Sequence, residues 1–168
     1  MKVIQFNAIS ADGFIATKNG NSDWVSDVDT KLFEAKIKEI GCIVMGRKTF
    51  DQYHGELYPF KRVLNLVVTS DTSGRQEEET FFVNSPHEAI NVAEQKGFKE
   101  ILLIGGGTIN GSFIEGGLVD EVFLDVHPLI IGEGINLFGG YKGKLDLKLL
   151  ESKNLGKGQI LLHYKVIK

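Results

Sequence analysis

A chain of 168 residues, 42% of them hydrophobic, can enclose one sizeable core and is near the usual length of one domain, so a single domain over residues 1–168 is expected. A formal charge of −3 gives no general attraction to nucleic acid or anionic lipid, and no apolar run is long enough to span a bilayer, so neither is an expected partner. Cys42, the one cysteine, excludes an intrachain disulfide, and without a charged-then-apolar leader the chain reads as cytoplasmic.

Residues 2 to 9 alternate toward Val3, Ile4, Phe6 and Ile9, the pattern of a first strand, and Ser10-Ala11-Asp12-Gly13 has turn chemistry. Phe14-Ile15-Ala16 returns briefly to extended structure before the polar loop from Lys18 to Asp23. Leu32, Phe33, Ile37 and Ile40 recur on one side of a helix predicted over about 28–40, with Ser26 or Asp27 as cap and Gly41 as terminator. Cys42 to Met45 reads as a second strand, in which Cys42 is a small core residue rather than a nucleophile because no base is near it in sequence. It ends at Gly46-Arg47-Lys48-Thr49, where a short helix begins. Residues 63–69 form a β-branched strand, 71–80 a polar exposed stretch with Glu77-Glu78-Glu79 as a solvated turn, and 81–84 another short strand. Ser85 caps a helix that opens with Pro86, carries Glu88 in its first turn and closes at Gly97.

Ile101 to Ile104 reads as a buried strand that runs into three glycines, after which Ile109, Phe113 and Ile114 recur at the spacing of a helix face. Residues 119–126 form a further strand, and 145–152 and 159–167 alternate like an antiparallel pair. Residues 132–143 are glycine-rich but hold Ile135, Leu137 and Phe138, the composition of an ordered loop. Strands separated by helices, then strands without helices, predict an α/β fold with a mixed, mostly parallel central sheet and antiparallel C-terminal strands. His54, His87, His127 and His163 are scattered without ligand spacing, so no metal site is expected.

Lacking a Cβ, Gly105, Gly106 and Gly107 can adopt backbone angles closed to other residues and let a ligand approach the main chain. The N–H groups of the following helix, with the positive end of its dipole, would face a pyrophosphate. The same cluster also fits a plain strand-to-helix turn, and its spacing is neither Gly-x-Gly-x-x-Gly nor that of a P-loop. Met45-Gly46-Arg47-Lys48-Thr49 offers a second anion site beside two fixed cations, and Val68-Thr69-Ser70 ends a third strand with hydroxyls. Ligands of open α/β sheets bind beyond the carboxyl ends of parallel strands, so these edges converge on one extended phosphate-bearing ligand; a dinucleotide fits better than a single phosphate.

These three motifs, in this order, resemble those of the dihydrofolate reductase superfamily, and the resemblance covers nearly the whole chain. Met45-Gly46-Arg47-Lys48-Thr49-Phe50 is similar to the superfamily's Met-Gly-Arg-x-Thr NADPH segment, and Thr69-Ser70 to its adenosine-side strand end. Ile104-Gly105-Gly106-Gly107 resembles its pyrophosphate and nicotinamide turn, which usually holds a cis peptide, expected here at Gly105–Gly106. The stretch from Ala8 to Ala16 resembles the strand and mobile loop that close over nicotinamide, with Ala8 and Ile15 or Ala16 touching the ring. Asp23-Trp24-Val25-Ser26-Asp27-Val28-Asp29 resembles the Pro-Trp segment with its helix acid, which puts Asp29 at the catalytic carboxylate, and Trp24 reads as a loop-to-core anchor with one face on the pocket. Asp27 competes for that place, helix capping being its plain reading.

The run from Leu129 to Phe138 looks like a loop of the riboflavin-pathway pyrimidine reductases, the C-terminal reductase domain of bifunctional deaminase-reductases. Their ribose-phosphate segment, Asp-x-Pro-x-Leu-x-x-Arg, is missing, and Asp51-Gln52-Tyr53-His54-Gly55-Glu56-Leu57-Tyr58-Pro59 stands in its place. Asp125 stands where dihydrofolate reductases carry a hydroxyl residue, and either lends polar character to the substrate pocket or is simply solvated.

The resemblance implies a single-domain, three-layer dihydrofolate reductase-like fold and an NADPH-dependent reductase that moves a hydride to a pyrimidine- or pterin-type substrate. Its nearest model is a 5-amino-6-(5-phosphoribosylamino)uracil reductase of riboflavin biosynthesis; dihydrofolate reductase proper and a non-catalytic NADPH-binding module are the alternatives. The implied cofactor site comprises Ala8, Ile15, Gly46, Arg47, Lys48, Thr49, Thr69, Ser70, Ile104, Gly105, Gly106, Gly107, Thr108 and Ile109. The implied substrate site comprises Asn7, Phe33 and Asp125, with Asp29 and Trp24 in the catalytic role. Apolar C-terminal strands make a homodimer the expected assembly.

Overall fold

Val3, Gln5 and Asn7 alternate with Ile4, Phe6 and Ala8 along β1 (Lys2–Ser10), and both sets are largely buried, which fits this strand for the middle of a sheet. In the computed structural model, which describes residues 1–73, 77 and 79–168, β1 pairs in parallel with β6 (Glu100–Gly105) on one side and β7 (Glu121–His127) on the other. Beyond β6 lie β3 (Cys42–Gly46), β4 (Leu64–Val68) and β5 (Thr80–Val83), all parallel. Beyond β7, β10 (Gln159–Val166) and β9 (Leu147–Gly156) run antiparallel. A small separate sheet joins β2 (Phe14–Thr17) to β8 (Gly134–Asn136).

Two layers of helix cover the main sheet. On one face Ile37 and Ile40 of α1 (Asp27–Ile40) and Phe50 of α2 (Arg47–Gln52) pack with Ile4, Phe6, Ile43, Met45 and Leu102. On the other, Ala89 and Ala93 of α3 (Pro86–Gln95) and Phe113 and Ile114 of α4 (Gly107–Glu115) pack with Val3, Val44, Leu66 and Leu103. This is the three-layer, mostly parallel architecture that the resemblance implies. Buried Cys42 belongs to this core, and burial pushes its thiol up to about 12, out of reach of nucleophilic use.

The caps follow the sequence signals. Ser26, and not the exposed Asp27, caps α1: its Oγ accepts the Asp29 N–H at 3.1 Å, and Gly41 closes the helix in the left-handed region at φ 73°. Ser85 Oγ caps α3 by accepting the Glu88 N–H at 3.2 Å. Three expectations change. The glycine-rich loop holds β8, whose three residues are too short to show a period and whose partner, β2, is distant in sequence. Thr80 is buried at the start of β5. Glu77 accepts from His54 at 2.8 Å in place of lying solvated, while Glu78 lies outside the described residues.

The loop after β8 is seated on α4 through missing side chains. A Cβ at Gly107 would collide with the Asn136 carbonyl oxygen, and one at Gly111 with that of Gly139. Gly111→Ala should therefore lower the unfolding free energy in urea by about 1–3 kcal/mol through overpacking, even though alanine favours a helix over glycine by about 1 kcal/mol. A gain in stability would show that this loop does not rest on α4.

Candidate active site at the carboxyl edge of the sheet

A cavity of about 370 Å³ opens at the carboxyl edge of β1 and β6. Its floor is Asn7, Ala8, Ile104 and Gly106, and Ile15, Ala16 and Ile135 of the β2–β8 sheet form a roof. The remaining walls are Asp29, Thr30, Phe33 and Glu34 of α1, and Thr49, Gln52 and Tyr53 from α2 and its end. Ser22, Asp23, Leu57 and Tyr58 complete the rim.

Asp29 reaches this cavity from the first turn of α1 and is only 4% exposed, while Asp125 lies fully buried on β7. The simply solvated reading of Asp125 is thereby excluded. Asp29 Oδ1 and both carboxyl oxygens of Asp125 have no donor. Burial first, and then the neighbouring Asp125 carboxyl, push Asp29 up to about 8. Asp29 therefore keeps its proton at neutral pH.

His127 fixes the far side of the pair. The Ser26 N–H can only donate, so the His127 Nε2 that lies 3.2 Å away accepts. Nδ1 then carries the hydrogen and donates to the Asp125 carbonyl at 3.1 Å, with Asp125 Oδ1 at 3.6 Å. Sequence reading passed over this histidine as one of four scattered ones. The available signal was the Asp125-Val126-His127 alternation, which puts both polar residues on one face of β7.

Trp24 is not part of the cavity wall: its ring stands edge-on to His127 at 5.2 Å, with a buried, unpartnered Nε1. Its placement is that of an anchor behind the acid pair, which corrects the expectation that one face meets the pocket. Asn7 touches the cavity, but its amide is engaged elsewhere, donating to the Ile104 carbonyl at 3.2 Å and accepting from Asn110 at 3.1 Å and Gln5 at 3.0 Å. Phe33 lines the wall beside Asp29 and packs against Phe6.

The residues expected to hold a dinucleotide fall into three groups. Ala8, Ile15, Thr49, Ile104 and Gly106 face the cavity. Gly105, at φ 109° and joined to Gly106 by a cis peptide, forms the turn into α4, which has no side-chain cap, so the start of that helix is left for an anion. Gly107 and exposed Thr108 are the first residues of α4. Gly46 and Ile109 pack on each other instead, a Cβ on Gly46 meeting Ile109 at 2.7 Å. Arg47, exposed Lys48, Thr69 and exposed Ser70 gather beyond β3 and β4, away from the cavity. The Arg47 guanidinium lies over Phe82 at 5.3 Å and binds both oxygens of Asp51 at 2.8 and 2.9 Å, while Thr69 Oγ1 accepts the Asp71 N–H. Among the described residues, no cluster of histidine, cysteine and acids could hold a metal ion, and no helix is long and apolar enough to cross a membrane.

Residues 1–161 match the family model of the RibD C-terminal domain. The chain belongs to that family. It is 33% identical to the uncharacterized protein YyaP of Bacillus subtilis (strain 168), over 97% of this chain and 95% of that one. A solved structure from Shewanella sp. PV-4, of a protein assigned by its name to riboflavin biosynthesis, superposes with a TM-score of 0.82 at 28% identity and covers both chains fully. The fold also matches a deaminase/5-amino-6-(5-phosphoribosylamino)uracil reductase from Thermotoga maritima, with a TM-score of 0.79 at 17% identity, over 99% of this chain and 56% of that one.

The acid pair makes stability depend on pH in a defined direction. The folded state keeps on Asp29 a proton that the unfolded chain releases above about pH 4, so this residue's contribution falls as pH rises toward 8. Asp125 and His127 on β7 and Ser26 at the helix start are the groups packed beside it. Asp29→Asn should flatten that slope and be more stable than the parent at pH 8.5, by more than about 1 kcal/mol, one pKa unit being worth about that much. Urea unfolding at pH 5 and 8.5 measures both, and an unchanged slope would mean that Asp29 ionises freely.

Proposed function

We propose that this protein is a reductase that moves a hydride from NADPH to a planar heterocycle of the pyrimidine or pterin type. The carrying observation is that one cavity has the main-chain turn at Ile104 and Gly106 with Ala8 and Ile15 on one side, and Asp29 with Phe33 on the other. That arrangement offers an apolar slot for a ring facing a carboxyl that keeps its proton at neutral pH. Membership in the RibD C-terminal family supports the reading, as does the fold shared with the Thermotoga maritima protein, whose name includes a reductase.

In this reading Gly105, Gly106, Gly107 and Thr108 hold the pyrophosphate, where unsatisfied N–H groups meet negative charge. Arg47, with Lys48 or Ser70, holds the 2′-phosphate; Ala8 and Ile15 flank the nicotinamide. The bound cofactor would supply the hydride. Asp29 orients the substrate and gives the proton, and the roof of Ile15, Ala16 and Ile135 keeps water from the reacting ring. We also place the protein in the cytoplasm as a homodimer built on Leu147, Leu149 and Ile160, exposed apolar residues of the C-terminal hairpin, a mass that sedimentation would read directly.

The cofactor assignment predicts NADPH binding at least tenfold tighter than NADH, about 1.4 kcal/mol, because a guanidinium makes charge-assisted bonds to phosphate. Arg47→Ala should remove most of that preference, and equal affinities in the parent protein would refute the 2′-phosphate site. Asp51 holds Arg47 beforehand, so the preference should grow in Asp51→Asn.

Turnover tests the acid. With NADPH and a panel of aminopyrimidines, dihydropterins and simple carbonyl compounds, loss of cofactor absorbance should mark a substrate. Asp29→Asn should then slow reduction by roughly a hundredfold or more while NADPH affinity stays within about threefold, well under 1 kcal/mol. Tight NADPH binding with no turnover of any compound would favour a binding module, and normal turnover by Asp29→Asn would pass the role to another acid.

A further inference from the structure

The substrate end of the cavity is acidic. Asp23, Asp29 and Glu34 line it, Asp125 lies beneath, and no lysine or arginine is among the described lining residues. The segment that packs beside them contributes Gln52, Tyr53, Leu57 and Tyr58, all uncharged. Of the cations on the neighbouring helices, Lys38 is paired with Glu34 at 3.3 Å, Lys36 with Glu39 at 3.1 Å and the Phe123 ring, and Arg47 with Asp51, while the exposed Lys31 and Lys48 do not line the cavity.

This is more than a cluster of surface acids. Asp29 is more than nine-tenths buried, lines the cavity and has an oxygen without a donor. An unpartnered buried carboxyl oxygen in a cavity wall calls for a donor from the ligand. A phosphate or carboxylate in the same space would meet the Asp23 and Glu34 carboxylates and the buried Asp29 and Asp125 carboxyls, with no lysine or arginine among the described lining residues.

We propose that the substrate of this cavity is a ring compound without phosphate or carboxylate, neutral or positively charged, which turns an N–H or O–H donor to Asp29. This rests on the reductase reading for the word substrate and on the cavity alone for the charge class. A phosphoribosyl pyrimidine, of the kind named for the Thermotoga maritima protein, is disfavoured by the same charges.

The test uses three probes that share one aminopyrimidine ring: its nucleoside, the 5′-phosphate of that nucleoside, and an analogue with an alkylammonium tail. Calorimetry with the full chain, with and without NADP⁺, reads binding; absorbance with NADPH reads turnover. We expect the 5′-phosphate to bind at least tenfold more weakly than the nucleoside and the ammonium compound to bind at least as well as it, with both differences shrinking in high salt. Glu34→Gln, which also frees Lys38, and Asp23→Asn should each narrow the gap between phosphate and nucleoside by threefold or more; Asp23 is exposed, Glu34 half-exposed, and neither belongs to a core cluster.

Phosphate binding as tight as nucleoside binding overturns the proposal, whether or not NADPH is consumed. So does failure of both the nucleoside and the ammonium compound to bind. Preferential binding of those two with no NADPH consumption upholds the charge class and removes the reductase reading instead.

Discussion

The register of β1 against β7 sets Ala8 opposite Asp125 and Phe6 opposite Phe123, all four on the face that α1 covers. A methyl group at position 8 leaves open the space above Asp125 that a larger side chain would fill, and the cavity forms there. The carboxyl of Asp125 then neighbours that of Asp29 and is out of reach of water. A slip of one residue in this pairing would turn Asp125 to the α4 face, beside the Gln5, Asn7 and Asn110 amides, and dissolve the pair.

Ser26 keeps the two halves of the pair at that spacing. Its Oγ accepts the Asp29 N–H and donates to Gln159 Oε1 at 2.7 Å, while its own N–H donates to His127. One residue thus joins the start of α1 to β7 and to β10, three elements that are far apart in sequence. An N-cap of this kind is worth about 1 kcal/mol to a helix; here it also fixes the tautomer of His127 and so the hydrogen that Asp125 receives through its carbonyl. Trp24, two residues earlier, presses on the same imidazole.

Much of this was legible in the sequence, and the limits have physical causes. Local chemistry declared itself: Ser85 as a cap, Ser26 or Asp27 as the other, Gly41 as a terminator, the two-residue period of β1 and the strand-to-helix change at Gly105 all act within a few residues. The three strand ends that gather at one edge were readable because parallel strands share a carboxyl side. What escaped depends on distant pairing. β8 is a strand only because β2 offers it an edge, and His127 is a site residue only because Ser26, 101 residues away, donates to it. Asn7 lines the cavity, as expected of a site residue, yet its amide is taken up by Asn110 and Ile104, partners no spacing rule announces.

The same long-range ties decide what can move over the cavity. Asp12 accepts from the Ile131 and Gly132 N–H groups at 3.1 and 2.8 Å. A hydrogen bond from Ser10, and then those from Gly132 and Ile131, hold its carboxyl below the usual range. Leu137 donates to the Gly13 carbonyl, and Asn110 of α4 donates to the Leu137 carbonyl at 3.0 Å. The roof residues Ile15, Ala16 and Ile135 are therefore carried on two segments bound to each other and to the helix expected to meet the pyrophosphate. Since Gly107 and Gly111 of that helix leave no gap beneath the loop, the segment that carries Ile135 rests on α4 by direct contact.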